Sequence, residues 1–261
     1  MIRLLRLQMG GMAALLLVAA AMLAPAGNPT PADKKLAKDA STWDELLSEK
    51  DVQNIIGVYA TDMKKALKSK GSFNSAYKKT MQQAHALAAL GNIGTVRLKG
   101  DDAKKAAALR EAGMELAAAA KAKKFDDAKA AFAKIEGYPA KTEPAAAGEV
   151  SKWDDVIPLG VLMENVSRID SEMRAAIKTD AEFKKGAKDA AVKTKLLAAL
   201  AVIARESKTE GDWQGWCDDM RAGSVDLSKE FAGKDFSGAK KANDVVQKSC
   251  TECHKKYQEE K

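Results

Sequence analysis

Aromatic residues, prolines and histidines are all scarce in this chain of 261 residues. Only 5% of the residues are aromatic, and there are 6 prolines and 2 histidines. Runs of valine, isoleucine, threonine and aromatic residues, which are typical of β-strands, are missing. Alanine and lysine recur instead, and such a composition favours helices over sheets. We therefore predict an all-α protein.

Cysteine is also scarce, with 3 residues in the chain. An odd number does not fit a disulfide framework in which every thiol is paired, so at least one cysteine has another use. Two cysteines lie close together near the C-terminus, which leaves Cys217 alone. We predict that Cys217 is either a small buried residue or a free thiol that forms an intermolecular disulfide.

Apolar runs long enough to cross a bilayer are absent from the sequence, and the longest run lies at the N-terminus. Arg3 and Arg6 precede an uncharged apolar stretch from Met9 to Leu23, and small residues follow it in Ala24-Pro25-Ala26. This pattern is typical of a secretory signal peptide. We predict a signal peptide over residues 1–26 and a periplasmic or otherwise extracytoplasmic protein without a membrane span after cleavage. A retained N-terminal anchor is the alternative.

Concentrated charge of one sign is missing too. The formal net charge is +7, and it falls to +5 once the two arginines of the signal segment are removed. Basic and acidic residues alternate along the chain instead of forming the basic stripe that nucleic-acid binding requires. We therefore predict no nucleic-acid partner. A mildly basic surface would still favour the encounter with an acidic partner protein.

The mature chain contains an internal repeat. A shift of 110 residues places Trp43 on Trp153, and after a single net insertion a shift of 111 residues places Phe125 on Phe236. Repeated units at a fixed offset indicate two homologous domains, here joined by the proline- and alanine-containing stretch 139–148.

Each unit shows four helical segments, each with one apolar stripe at three- and four-residue steps. In the second unit we predict helices near 152–178, 181–206, 213–232 and 235–259. Four helices with short connections favour an antiparallel up-down bundle. The sequence thus predicts two tandem antiparallel four-helix bundles, over residues 27–140 and 149–261.

The second unit ends with the motif Cys250-Thr251-Glu252-Cys253-His254. On a helix, the two cysteines and the histidine project from one face. Two thiols at this spacing suit the two vinyl groups of a haem, and the adjacent imidazole suits its iron. We predict one covalent haem c, attached through Cys250 and Cys253, with His254 as the proximal iron ligand.

Structural zinc and a redox dithiol are the alternatives to haem, together with chance occurrence. Zinc needs four good ligands, and the remaining candidates are Cys217 and His85, of which His85 lies in the other unit and is expected on a helix surface. A redox dithiol is expected at the start of a helix that follows a strand, not near a helix end. The motif therefore favours haem.

The second unit resembles the cytochrome c prime family of four-helix-bundle haem proteins. The resemblance covers residues 150–261 and rests on the position of the haem motif in the last helix and on a few flanking residues: Asp219-Met220-Arg221, Phe236, Ala239 and the stretch 246–257. It reaches residues 40–140 only through the internal repeat.

The resemblance implies that a residue of the first helix meets the other face of the haem, and Met163 is the candidate. A methionine ligand would give His/Met coordination, raise the reduction potential and favour electron transfer. Alternatively, Met163 only packs in the core, as methionines usually do. The iron would then be open to a small gas such as nitric oxide.

Other residues are weaker candidates for contact with the haem. Arg168 and Arg221 suit the haem propionates, because guanidinium groups pair well with carboxylates. Ordinary surface positions are the alternative for both arginines. Trp213 and Trp216 are predicted either to pack along the haem edge or to fill the core.

The first unit has lost this chemistry. The positions that match the motif residues and Met163 hold other residue types: Pro139, Thr142, Glu143 and Gln53. Without thiols and an imidazole this unit cannot attach haem covalently. Its role as a packing partner, a docking surface or a dimerisation unit is left open.

Together these patterns predict an exported electron-transfer protein with one haem and a redox partner protein; a homodimer is left open. No pairing of a nucleophile with a base is visible, so we predict no enzyme activity. A five-coordinate haem protein that binds or senses a gas is the first alternative. An interaction module with a structural haem is the second.

Overall fold

The structure, a computed structural model, describes residues 40–140, 142–143, 145 and 149–257. The predicted signal peptide over residues 1–26 lies outside these ranges. The described residues form helices and no strand, which confirms the all-α fold class. The helices are α1 (Ala40–Leu46), α2 (Glu49–Ala66), α3 (Lys70–Arg97), α4 (Gly100–Lys121), α5 (Phe125–Glu136), α6 (Trp153–Val156), α7 (Leu159–Ala176), α8 (Asp180–Glu206), α9 (Gly211–Gly233) and α10 (Phe236–Tyr257). Within this part of the chain, no helix has both the length and the apolarity that a membrane span requires.

The first residues of the matching long helices are 110 or 111 residues apart, which are the two offsets of the sequence repeat. Helices α2 and α7 both have 18 residues and match over their full length, and α5 and α10 both begin at a phenylalanine. The matching helices α3 and α8 begin after Ser69 and Thr179. Each of these side chains accepts a hydrogen bond from a backbone N–H three residues later, as capping residues do. Equivalent local signals therefore start the equivalent helices in both halves.

The prediction of one continuous helix over residues 152–178 is wrong near its start, where the structure has two helices, α6 and α7. Proline disfavours helical backbone in the residue before it, and Ile157 accordingly has an extended conformation with φ −142° and ψ 93°. The short helix α6 ends there, and α7 begins after Pro158. The chain can therefore change direction between Trp153 and the helix that carries Met163.

Small residues bring α3 and α4 into close contact. A Cβ atom at Gly113 would lie 2.8 Å from the carbonyl oxygen of Ala84, and one at Gly91 would lie 2.6 Å from the carbonyl oxygen of Ala106. Real Cβ atoms do not approach backbone atoms so closely, and a well-packed interior cannot yield without cost. Glycine at these two positions therefore sets the distance between the helices.

We expect Gly91→Ala to lower the free energy of unfolding by about 1–3 kcal/mol, the usual cost of overpacking. Gly57→Ala is the matched control, because Gly57 lies inside α2 and its added Cβ would contact nothing within 4 Å. There alanine should stabilise the protein by about 0.5–1 kcal/mol through its higher helix propensity. Urea unfolding of both variants checks this, and a stabilising Gly91→Ala would contradict the close packing.

The two halves of the described chain, residues 40–140 with α1 to α5 and residues 149–257 with α6 to α10, contact each other through equivalent helices. Helix α2 contacts α8 while its counterpart α7 contacts α3, and α1 contacts α8 while α6 contacts α3. The matching residues Trp43 and Trp153 pack with ring centroids 5.9 Å apart. Two copies of one unit pair in this reciprocal way in a symmetric dimer. Because the halves share these contacts, the division into two separate bundles stays a prediction.

Candidate functional site

Helix α10 carries the cysteine motif on its last turns. The N-terminal part of α10 is anchored in the core by Ala239 and Val246, which are 0% and 1% exposed. The helix has 22 residues, whereas the matching α5 has 12 and ends before the positions that correspond to the motif. Gly137 and Pro139 stop α5 there, because glycine favours helix ends and proline cannot continue a helix. Of the two matching helices, only α10 therefore extends through the motif positions.

A cleft lies between α7, α9 and α10. Side chains of α7 line it on one side and side chains of α10 on the other. The empty volume, including the mouth, is about 560 Å³. Much of its wall is formed by large apolar side chains: Val166, Trp213, Trp216 and Met220. The second half thus has an apolar recess where its first and last long helices separate.

The cysteine motif and the predicted opposite ligand line this same cleft. Cys250, Cys253 and His254 contribute from α10, and Met163 contributes from α7. His254 is exposed, and the other three side chains are half-buried. Residues that are distant in the sequence therefore meet at one site.

The three thiols of the chain also meet at this cleft. Cys217 is 5% exposed and lines it from α9, so its predicted role as a small buried residue agrees with its position. All three cysteines are free thiols. Burial, together with the charge of Asp170, raises the pKa of Cys250 to about 11, and burial also raises the pKa values of Cys253 and Cys217. Redox-active dithiols have lowered pKa values, so this environment disfavours a dithiol oxidoreductase.

Zinc has no recognisable ligand set in the described residues. No three side chains of histidine, cysteine, aspartate or glutamate are grouped there as they would be around a metal ion. Structural zinc sites use four such ligands and catalytic ones use three. Although Cys217, Cys250, Cys253 and His254 all line the cleft, the described residues do not bring three of them together as a zinc site would require.

Trp213 is fixed at the base of α9. The indole is 4% exposed, and its Nε1 donates a hydrogen bond to the carbonyl oxygen of Ala204 at 2.7 Å. The ring of Tyr257 meets it edge-on with centroids 5.5 Å apart, and the Lys208 ammonium lies 4.0 Å from the centre of that tyrosine ring. This cluster holds the end of α10 against α9 beside the motif.

Arg168 is placed outside the cleft, at the contact between the halves. Its guanidinium donates to Glu172 at 2.9 Å, to the hydroxyl of Tyr59 at 2.9 Å and to the side-chain oxygen of Asn165 at 3.1 Å. It also packs over the Tyr59 ring at 5.4 Å. These partners tie α7 to α2 and occupy both terminal nitrogens, while the buried Nε has no hydrogen-bond partner among the described residues.

We expect Arg168→Met to lower the free energy of unfolding by about 1–3 kcal/mol, because it leaves the buried Tyr59 hydroxyl and Glu172 without this partner. Lys184→Met is the control, since Lys184 pairs only with Asp180 on the surface and should change stability little. Urea unfolding compares the two variants. Equal stabilities would mean that the Arg168 contacts are not structural.

Arg221 keeps more bonding capacity. Its Nη2 lies 3.7 Å from Asp218, and its buried Nε has no hydrogen-bond partner in the described part of the chain. It does not line the cleft itself but follows Met220, which does. Both predicted arginines have a buried Nε without a hydrogen-bond partner among the described residues, and Arg221 has the fewer side-chain partners of the two.

His85 is not on a helix surface as predicted. It is half-buried, and its Nδ1 lies 2.8 Å from the carbonyl oxygen of Val156 in the other half. Burial accordingly lowers its pKa. The partner is a backbone atom of a remote segment, so no sequence pattern could have indicated this contact.

A groove between the halves opens beside the cleft, and sequence reasoning missed it. Met163 and His254 line it on one side, and Tyr77 and Met81 of α3 line it on the other. The first half thus contributes side chains next to the exposed edge of the site.

Comparisons with known proteins do not extend this description. The chain has no significant match to any protein-family model, curated protein or solved structure. The residues of the cleft and the groove are therefore the basis on which a function can be inferred.

Proposed function

We propose that this protein is an exported electron-transfer cytochrome with one covalent haem c in its second half. The observation that carries the proposal is the shared cleft of Cys250, Cys253 and His254 on α10 and Met163 on α7. These are the donor types of c-type haem attachment with His/Met iron ligation. A haem iron needs only these one or two protein ligands, because the ring supplies the others.

The residues of the cleft fit such a group. Cys250 and Cys253 are unpaired thiols on one helix and would hold the vinyl edge, with His254 as the proximal ligand. Apolar walls such as Trp216 and Met220 would exclude water from a flat apolar ring. Arg221, whose ion pair with Asp218 is long at 3.7 Å, is the propionate candidate that we retain. When bound, haem supplies one-electron chemistry at its iron.

The side chains of the cleft would tune that chemistry. A thioether from Met163 would raise the reduction potential of a bound haem. The two cysteine tethers would keep the group at a high effective concentration at its site. Such an arrangement favours electron transfer over substrate turnover.

The groove beside the cleft supports a protein partner. Lys78, Lys121 and Lys208 line this groove, close to the exposed His254. Basic side chains around the exposed edge of a redox group would attract an acidic partner protein and speed the encounter, more so at low salt. The first half supplies two of these lysines, which would give it a role in docking.

A gas-binding five-coordinate haem protein is the second candidate. Met163 lines the groove as well as the cleft, so the sixth ligand position would lie next to a path from solvent. If Met163 only packs, a small gas could reach the iron by that path.

The visible spectrum of the full chain decides between these candidates. The protein is to be produced in a bacterial host that has machinery for c-type haem attachment. Electron transfer predicts one haem per chain and a low-spin reduced spectrum that carbon monoxide does not change. A high-spin spectrum that responds to carbon monoxide would favour gas binding, and a colourless protein would refute both.

A further inference from the structure

The haem-free half retains a cavity where the second half has its cleft. The cavity lies between α2, the end of α3, the start of α4 and residues 138–140. Four of its lining residues match cleft residues through the repeat: Gln53, Asp102, Lys105 and Pro139 correspond to Met163, Trp213, Trp216 and Cys250. Its empty volume, including the mouth, is about 910 Å³, against about 560 Å³ for the cleft. The first half therefore has a cavity of its own at the place that matches the cleft.

The chemistry of this cavity differs from that of the cleft. Its floor is apolar, formed by Leu90 and Ile93, which are 2% and 1% exposed, together with the half-buried Val52. Where the cleft has two tryptophans, the cavity has the charged pair Asp102 and Lys105. A site with an apolar floor and two opposite charges at its wall suits a small amphipathic molecule.

The two charges at the wall do not neutralise each other. Asp102 and Lys105 are three residues apart on α4, a spacing that permits ion pairs. The neighbouring residues Asp101 and Lys104, at the same spacing, do form a pair at 3.4 Å. Within the described residues, neither Asp102 nor Lys105 makes an ion pair or a side-chain hydrogen bond. Both groups therefore have bonding capacity for a ligand.

Besides Asp102, the cavity is lined by a second carboxylate, Glu49, and by the phenol of Tyr138. Glu49 lines the cavity and accepts one hydrogen bond, from Gln53 at 3.3 Å. Tyr138 lines it as well, and its pKa is raised by burial and by the charges of Glu49 and Asp102. Glu49, Asp102 and Tyr138 line one cavity, and the exposed carboxylates of Glu49 and Asp102 would favour a cation in it. The cation Arg97 also lines the cavity but is already paired with Asp44 at 2.7 Å.

We propose that this cavity binds an apolar α-amino acid as its zwitterion. The ligand carboxylate pairs with Lys105, the ammonium group pairs with Asp102 and Glu49, and the side chain packs on Val52, Leu90 and Ile93. An α-amino acid carries its two charges side by side, as one turn of α4 presents Lys105 and Asp102. Charge-assisted hydrogen bonds fix both ends, and burial of the apolar side chain adds affinity. Binding involves no covalent step and does not depend on the haem.

Isothermal titration calorimetry of the purified full chain tests the ligand class. The probes are L-leucine, 4-methylpentanoate, which lacks the ammonium group, and 3-methylbutylamine, which lacks the carboxylate. We expect L-leucine to bind and each analogue to bind at least roughly tenfold more weakly, because a charged group of the protein loses its partner. No heat of binding for L-leucine at millimolar concentration would overturn the proposal, and so would equal affinities for the three probes.

Variants of α4 locate the site. Lys105→Met should weaken L-leucine binding roughly tenfold or more. Lys104→Met is the matched control, since Lys104 lies next to it, pairs with Asp101 and does not line the cavity. Val52→Trp should abolish binding by filling the cavity. The proposal is wrong if Lys104→Met weakens binding as much as Lys105→Met, or if Val52→Trp leaves it unchanged.

The visible spectrum of each variant separates this proposal from the haem site. We expect Lys105→Met and Val52→Trp to leave the haem content and spectrum as in the parent protein. Loss of L-leucine binding with an intact spectrum supports a separate site in the first half. Loss of both would show that the cavity is not independent of the second half and would contradict the proposal.

Discussion

The double substitution Cys250→Ala with Cys253→Ala should abolish covalent haem attachment. Both thiols lie on α10 and line the cleft, and without them no thioether bond to the vinyl groups can form. Haem could then bind only non-covalently and would be lost on unfolding, because the high effective concentration of a tethered group disappears. Haem staining of a denaturing gel measures this, and we expect the signal to fall from one haem per chain to none.

Cys217→Ala is the control for this variant. Cys217 lines the same cleft and is 5% exposed, but it lies on α9 outside the motif. The variant should keep one covalent haem and lose some stability through the small space that it leaves. Covalent haem in the double variant, or loss of haem in Cys217→Ala, would mean that the attachment residues are assigned wrongly.

Met163→Leu should convert a low-spin haem into a high-spin one. Leucine has about the volume of methionine, so packing changes little, but it has no sulfur to offer the iron. The reduced variant should bind carbon monoxide stoichiometrically, whereas the parent protein should not bind it. Loss of the thioether should also lower the reduction potential, since methionine ligation raises it. Absorption spectra with and without carbon monoxide, and a redox titration, measure these effects.

Met173→Leu is the matched control on the same helix. Met173 is 2% exposed and packs in the core without lining the cleft. Its substitution should leave the spectrum low-spin and indifferent to carbon monoxide. An unchanged low-spin spectrum in Met163→Leu would show that Met163 only packs and that another residue supplies the sixth ligand.

Most of the fold could be predicted because its signals are local. Composition indicated helices, and the predicted starts at residues 181, 213 and 235 lie within two residues of the starts of α8, α9 and α10. The predicted helix over residues 152–178 missed the break at Ile157 because the continuous apolar stripe was given more weight than the presence of Pro158. The stripe reports which side of a segment is buried, whereas a proline acts on the backbone of the residue before it.

The contacts between the halves could not be predicted in the same way. Arg168 is compatible with a haem propionate in sequence, yet the structure gives its guanidinium to Tyr59 and Glu172. His85 is bonded to a backbone carbonyl. Such partners are remote in the chain, and no periodicity or motif encodes which of them an arginine or a histidine meets.

The sequence by itself determined the helices, the internal repeat and the spacing of Cys250, Cys253 and His254, because each depends on residues within a few turns of one another. The tertiary structure decided what surrounds them. It brought Met163 to the cleft of the motif, placed α3 of the first half beside its exposed edge and left a charged cavity at the matching place in that half. These features depend on how separate helices pack, and packing is a property of the whole chain.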